Sequence, residues 1–187
     1  MKNPIRVMVT GVGGGGNGEQ LLKALRMAEL PYHLIGADIT PLSKGLYAAD
    51  ESVILPPASD PNYLNELRTI LRERKVDALF TGSEPELKVI SQVQDELRAE
   101  GLFLPMNRRE VIEICLDKSK TMNFLHQNGF QTPVSYTIRS LDDLESITHF
   151  PLVIKPSIGG GGSANSFIAQ DREELNLFGN WMLRIYS

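Results

Sequence analysis

The sequence predicts an α/β protein that opens with a parallel, doubly wound sheet. Three observations predict it. Short apolar runs end at glycine- or proline-marked turns near residues 5–10, 33–38, 52–55, 77–80 and 102–104. Segments with a single apolar helical face lie between most of them, as an open α/β layer fold requires. The first junction is strand, glycine turn, helix, strand. Beyond residue 115 the pattern changes to shorter elements, so the sequence predicts a first domain over 1–115 and a smaller α+β segment over 116–187.

Taken in order, Ile5-Arg6-Val7-Met8-Val9-Thr10 is a parallel-type strand, followed by Gly11-Val12-Gly13-Gly14-Gly15-Gly16-Asn17-Gly18. Residues 19–29 have helix composition, with Leu21, Leu22, Leu25 and Ala28 on one face. His33 to Asp38 is the second strand, 40–51 an irregular connection, and Ser52 to Leu55 a third strand stopped by Pro56-Pro57. Asp60-Pro61 starts a helix with proline in its first turn, and it reaches Arg74 or Lys75. Asp77 to Phe80 is a fourth strand, residues 82–99 a helix, and Leu102-Phe103-Leu104 a fifth strand. Asn107 caps a short helix through Ile114.

The second segment opens with a helix over 117–128, closed by Gly129 at the position favoured after a helix end. A strand at Val134 to Thr137 and a short helix from Leu141 to Ile147 precede Phe150-Pro151-Leu152-Val153-Ile154-Lys155-Pro156. That run is a short buried strand fenced by prolines and ending in a lysine. Ser157-Ile158-Gly159-Gly160-Gly161-Gly162-Ser163 follows, then a returning strand near 165–169 and a last helix running towards Trp181. A glycine run can be a plain linker. Between two strands, and beside a lysine, the favoured reading is a flap whose backbone amides close on polyphosphate.

Composition narrows the function. The 187 residues are 42% hydrophobic and 22% charged, the balance of an ordinary globular protein. A net charge of −4 argues against a general nucleic-acid binder. Cys115 is the sole cysteine, so no internal disulfide forms and a reducing, cytoplasmic setting is expected. No signal-peptide pattern opens the chain, and no apolar run is long enough to span a bilayer, so no membrane role is expected.

The first glycine turn also satisfies G-x-G-x-x-G through Gly11, Gly13 and Gly16, with Asp38 ending the second strand where a ribose-binding acid belongs. That pattern supports a dinucleotide-binding (NAD) oxidoreductase. Against it, His33, His126 and His149 form no catalytic constellation, and a hydride-transfer enzyme has no use for the second glycine segment. Neither glycine run has the lysine and Ser/Thr of a P-loop.

The order of several motifs resembles the ATP-grasp superfamily, in particular the large chain of carbamoyl-phosphate synthetase. Val9-Thr10-Gly11, Gly45-Leu46-Tyr47-Ala48-Ala49-Asp50, Pro56-Pro57 before Asp60-Pro61-Asn62-Tyr63-Leu64, and Gly82-Ser83-Glu84-Pro85-Glu86-Leu87 are similar to its Rossmann-like pre-ATP-grasp domain. Asp117-Lys118, Thr121, Phe124-Leu125, Gly129, Thr132-Pro133 and the 150–163 segment are similar to the first lobe of its ATP-grasp domain. The resemblance implies ATP and Mg²⁺ as cofactors and a small carboxylate as substrate. It implies phosphorylation of that carboxylate to an acyl phosphate, which an amine then attacks. Lys118 and Lys155 are implied to hold the nucleotide phosphates, with Ser157, Gly159, Gly160, Gly161, Gly162 and Ser163 covering them. The acidic residues that bind Mg²⁺ in the family follow in a second lobe that this sequence does not contain. The chain alone is therefore expected to be inactive, the N-terminal part of a ligase. A further alternative is a non-catalytic module that pairs with a second chain or another copy.

Overall fold

The computed structural model describes residues 4–14, 16–159 and 164–186. They fall into two compact units, one ending at Ile112 and the other beginning at Glu113.

The first unit is a parallel sheet covered on both faces. Its strands are β1 (Ile5–Thr10), β2 (Tyr32–Asp38), β3 (Glu51–Ile54) and β4 (Ala78–Phe80), in spatial order β3-β2-β1-β4. Side chains alternate across the sheet, as period-two geometry demands. Met8, Ile35 and Leu79 enter one core; Val7, Val9, Leu34 and Ala78 enter the other. The helix α1 (Asn17–Arg26) lies on the second face, where Leu22 is buried with Leu21 and Leu25 beside it. On the opposite face, α3 (Tyr63–Glu73), α4 (Glu84–Ser91) and α5 (Gln94–Ala99) contribute Tyr63, Leu67, Ile90 and Leu97. Between β2 and β3 lies α2 (Lys44–Ala48). The Rossmann-like parallel sheet is thus borne out.

Several elements differ from the sequence reading. The connection over 40–51 contains α2. The single helix expected over 82–99 is two helices, because the Ser91 hydroxyl donates to the Lys88 carbonyl at 2.8 Å and competes with the helical ladder. The fifth strand is one bridge, in which Phe103 donates to the Asp77 carbonyl and accepts from Leu79 N–H. Pro105 follows two residues later and has no amide hydrogen to extend the pairing.

The second unit holds the end of α6 (Arg109–Cys115, which straddles the division), α7 (Lys118–Gln127), α8 (Leu141–Glu145), an antiparallel hairpin of β5 (Leu152–Ile154) and β6 (Phe167–Ala169), and α9 (Arg172–Tyr186). Gly129 takes the left-handed conformation that closes α7, at φ +77°. The strand expected at Val134 to Thr137 is not formed. That segment has no ladder partner among the described residues, and β-branched composition without pairing makes no strand. The last helix runs to Tyr186, past Trp181.

The core of this unit is small: Leu144, Ile147, Ala169 and Leu175, with Leu152, Ile154 and Phe178 around them. Gly179 lets α9 approach α8, since a Cβ there would lie 2.9 Å from both Leu144 methyls. Arg172 donates to the Leu144 and Ile147 carbonyls, closing the C-terminal end of α8, and lies over the Phe150 ring.

Candidate functional site

Two glycine-bearing segments are candidates for a ligand site. In the first unit, the turn after β1 sits at the C-terminal ends of β1 and β4, where the strand order reverses and open α/β sheets bind ligands. Its glycines differ: a Cβ on Gly18 would lie 2.4 Å from the Gly11 carbonyl oxygen, whereas one on Gly14, at φ +71°, would meet nothing within 4 Å among the described residues. A Cβ on Gly82 would lie 2.2 Å from the Thr10 carbonyl oxygen and 2.6 Å from Gly18 Cα, so the β4 turn and the start of α1 touch only because both residues are glycine. Asp38, the expected ribose acid, is buried and already occupied. Its Oδ2 accepts from Gly13 N–H at 2.7 Å, and its Oδ1 accepts from Ile39 N–H at 2.9 Å. The carboxylate fixes the glycine turn to the end of β2.

Below that turn lies a buried polar cluster. Glu86 accepts from the hydroxyls of Thr10 (2.9 Å), Ser83 (2.6 Å) and Tyr63 (3.0 Å). Burial, then the Glu86 charge and hydrogen bond, push the Tyr63 hydroxyl well above the usual tyrosine range. Nearby Glu19 is buried in the first turn of α1 and pairs with Lys23 at 2.8 Å and Lys44 at 3.1 Å. Hydrogen bonds from Lys23 and then Lys44 hold its carboxyl below the ordinary glutamate value.

The second unit presents a different arrangement. Lys118 is the first residue of α7 and half-buried; Lys155 directly follows β5 and is exposed. Alternation along β5 turns Leu152 and Ile154 towards the small core, so Val153 and Lys155 belong to the open face. Among the described residues no carboxylate forms an ion pair with either lysine. Lys155 and Ser157 sit on one segment, Lys118 on another, and three hydrogen bonds join the two. Lys118 N–H donates to the Ser157 carbonyl at 3.0 Å, Ser119 N–H donates to Ser157 Oγ at 3.1 Å, and Ser157 Oγ donates to Asp117 Oδ1 at 2.5 Å.

Asp117 is the N-cap of α7. Its Oδ1 also accepts from the Ser119 hydroxyl at 2.7 Å, the Ser119 amide at 2.9 Å and the Lys120 amide at 3.3 Å. Burial alone would raise its pKa, but the hydroxyls of Ser157 and Ser119 and the two amides outweigh it and bring it down to about 2. The sequence shows Asp117 as the start of a helix, and a capping acid one residue before a lysine was the signal available. Its tie to Ser157, forty positions away, is visible only in three dimensions.

Gly159 takes φ +76°, a left-handed conformation that suits glycine, with no described residue packed where a Cβ would stand. Gly160, Gly161, Gly162 and Ser163 lie outside the described residues. The structure therefore brings Lys118, Lys155, Ser157 and Gly159 to one region. Among the described residues no three His, Cys, Asp or Glu side chains gather to hold a metal ion, and no helix is long and apolar enough to cross a membrane.

Residues 8–104 match the sequence profile of the family described as PylC-like, N-terminal domain. The chain belongs to that family. Residues 115–186 match an ATP-grasp domain profile, so the ATP-grasp resemblance is borne out, with PylC-like describing the first part. The carbamoyl phosphate synthase large chain of Thermoplasma acidophilum is 27% identical over 123 residues, which are 62% of this chain and 12% of that protein. An L-amino acid ligase from Bacillus licheniformis is similar in structure, with a TM-score of 0.72, 24% identity and coverage of 97% of this chain and 43% of that one. The N5-carboxyaminoimidazole synthetase of Staphylococcus aureus, complexed with ADP, has a TM-score of 0.71 at 17% identity and covers 96% of this chain and 45% of that one. At these identities the two structures show the fold alone, and this chain spans less than half of each relative.

Proposed function

We propose that the protein is an ATP-dependent ligase acting on a carboxylate, and that its second unit supplies the phosphate-gripping cations of the nucleotide site. The single observation that carries this reading is the set of three hydrogen bonds that hold the Lys118 helix start against the turn after Lys155. Two lysines without carboxylate partners among the described residues, on segments held together, suit a polyanion. Lysine is a compact charge that fits phosphate oxygens, and charge-assisted hydrogen bonds to phosphate are strong. The Staphylococcus aureus relative with bound ADP supports a nucleotide as the ligand.

In the proposed reaction a carboxylate oxygen attacks the γ-phosphorus of ATP and ADP leaves. A nucleophile, an amine in the simplest case, then attacks the acyl carbon and inorganic phosphate departs with the C–O bonding pair. Lys118 and Lys155 act by holding and orienting the phosphates so that charge moving onto the transferred group meets fixed cations. The Mg²⁺ that accompanies ATP in such reactions neutralises phosphate charge.

The test is calorimetric titration, with Mg·ATP and with NAD, of a chain that carries both ATP-grasp lobes. Mg·ATP binds, NAD gives no heat, and Lys155→Ala weakens Mg·ATP by about tenfold or more. Unchanged affinity in Lys155→Ala, or saturable binding of NAD alone, would overturn the reading.

A second reading concerns the open face of the hairpin. Val153 and Ile168 stand opposite each other across β5 and β6, and both are about 60% exposed. A second chain or a second copy packing there would cover them. Sedimentation velocity of the wild type against Val153→Lys tests it, since a dimer that survives the substitution does not use this face.

A further inference from the structure

We propose that Asp117 and Ser157 form a latch that keeps the two lysine-bearing segments in register, making Asp117 a positioning residue for the phosphate-binding pair and Ser157 part of the latch rather than a phosphate ligand. This rests on the reading of Lys118 and Lys155 given above.

The argument begins with hydrogen-bond capacity. A phosphate oxygen accepts, so a serine that binds it must offer its hydroxyl proton. The Ser157 hydroxyl has one proton, and it is directed to Asp117 Oδ1 at 2.5 Å. The same oxygen accepts from Ser119 N–H at 3.1 Å, which commits the hydroxyl in both directions. Asp117, in turn, uses one carboxylate oxygen to take bonds from both segments: Ser157 on one side, Ser119 and Lys120 on the other.

The latch has a mechanical purpose. Two segments that each carry an ammonium without a carboxylate partner among the described residues gain nothing electrostatically from lying together, because like charges repel. Something else must hold them. Asp117 directly precedes Lys118, and Ser157 lies two residues after Lys155, so the latch acts at the root of both cations. Binding groups of this kind are accurate only when supporting bonds fix the residues that carry them. The hydrogen bond from Lys118 N–H to the Ser157 carbonyl supplies a backbone tie that survives substitution of either side chain. Removing the latch therefore loosens the register without dissolving the contact.

The test compares Asp117→Ala, Ser157→Ala, the double variant, Ser157→Thr and Lys155→Ala, each titrated with Mg·ATP and with adenosine. Each alanine variant of the latch is expected to weaken Mg·ATP about tenfold. The double variant is expected to be no weaker than either single, because both remove one shared interaction. Ser157→Thr, which keeps the hydroxyl, restores affinity to within about twofold, and adenosine binding is unchanged throughout.

Several results would overturn the latch while leaving the phosphate site standing. One is wild-type Mg·ATP affinity in both alanine variants while Lys155→Ala is weakened. Another is multiplicative losses in the double variant, which would make Ser157 a direct ligand. A third is equal weakening of adenosine, which marks general loss of structure. If the wild type fails to bind Mg·ATP, or Lys155→Ala binds it normally, the phosphate reading itself fails and the latch falls with it. Should Asp117→Ala not fold, the pair Ser157→Ala and Ser157→Thr decides the question alone.

Discussion

A methyl group added to Gly82 would lie 2.2 Å from the Thr10 carbonyl oxygen, whereas one added to Gly159 would meet nothing within 4 Å among the described residues. The first residue belongs to a turn at the sheet of the first unit, the second to the segment that follows Lys155. At Gly82 and Gly18 glycine is a packing device that lets two backbone segments touch, although Gly14 of the same turn stands open, and the nearby acid, Asp38, accepts amide hydrogens. In the second unit Gly159 supplies a backbone conformation in open space, beside two lysines without carboxylate partners among the described residues. A glycine-rich turn is therefore informative about ligands only when its surroundings leave room and unsatisfied charge.

That contrast can be broken by substitution. The largest effect is expected for Gly82→Ala, which drives a Cβ into backbone that has no flexible end to move. A loss of roughly 3 kcal/mol in chemical denaturation is expected, and near wild-type stability would show the turn to be loose. Asp38→Ala removes an acceptor from buried amides and is expected to cost about 2 kcal/mol. The same variant sharpens the functional contrast: its folded fraction binds Mg·ATP with wild-type affinity. Gly159→Ala places a side chain in the left-handed region with no clash, so a cost of about 1 kcal/mol is expected.

A separate effect is on pH dependence. Asp117 has a folded-state pKa of about 2, below its ordinary value of 3.8. Its contribution is therefore fully present above about pH 4 and is lost as pH falls through 2. Acid unfolding of the wild type should show this loss across that window. Asp117→Asn, which carries no ionisable group there, should show a shallower slope, and identical slopes would mean that the hydrogen bonds to Asp117 do not depend on its charge.

Much of the fold was legible in the sequence because its signals are local. The apolar runs ending at Thr10, Asp38 and Phe80 lie close to the strand ends observed, and Gly129 stops α7 where its backbone freedom is needed. The misread elements depended on neighbours. Phe103 has strand composition but only one bridge, and Val134 to Thr137 has strand composition and no partner. The split between α4 and α5 depended on a serine hydroxyl turning back on its own helix.

The candidate site was legible as residue types, a lysine before glycines and another at a helix start, but not as geometry. That Ser157 faces Asp117, and that Asp38 is already consumed by Gly13 and Ile39, follows from contacts between positions 25 or more apart or from a local turn that composition does not reveal.

The most direct measurement is amide hydrogen exchange with and without Mg·ATP. Slowed exchange at Lys155 to Gly159 and at Lys118 to Lys120, with no change at Gly11 to Gly18, is the predicted result. Protection confined to Gly11 to Gly18 would place the nucleotide on the first unit and contradict the account.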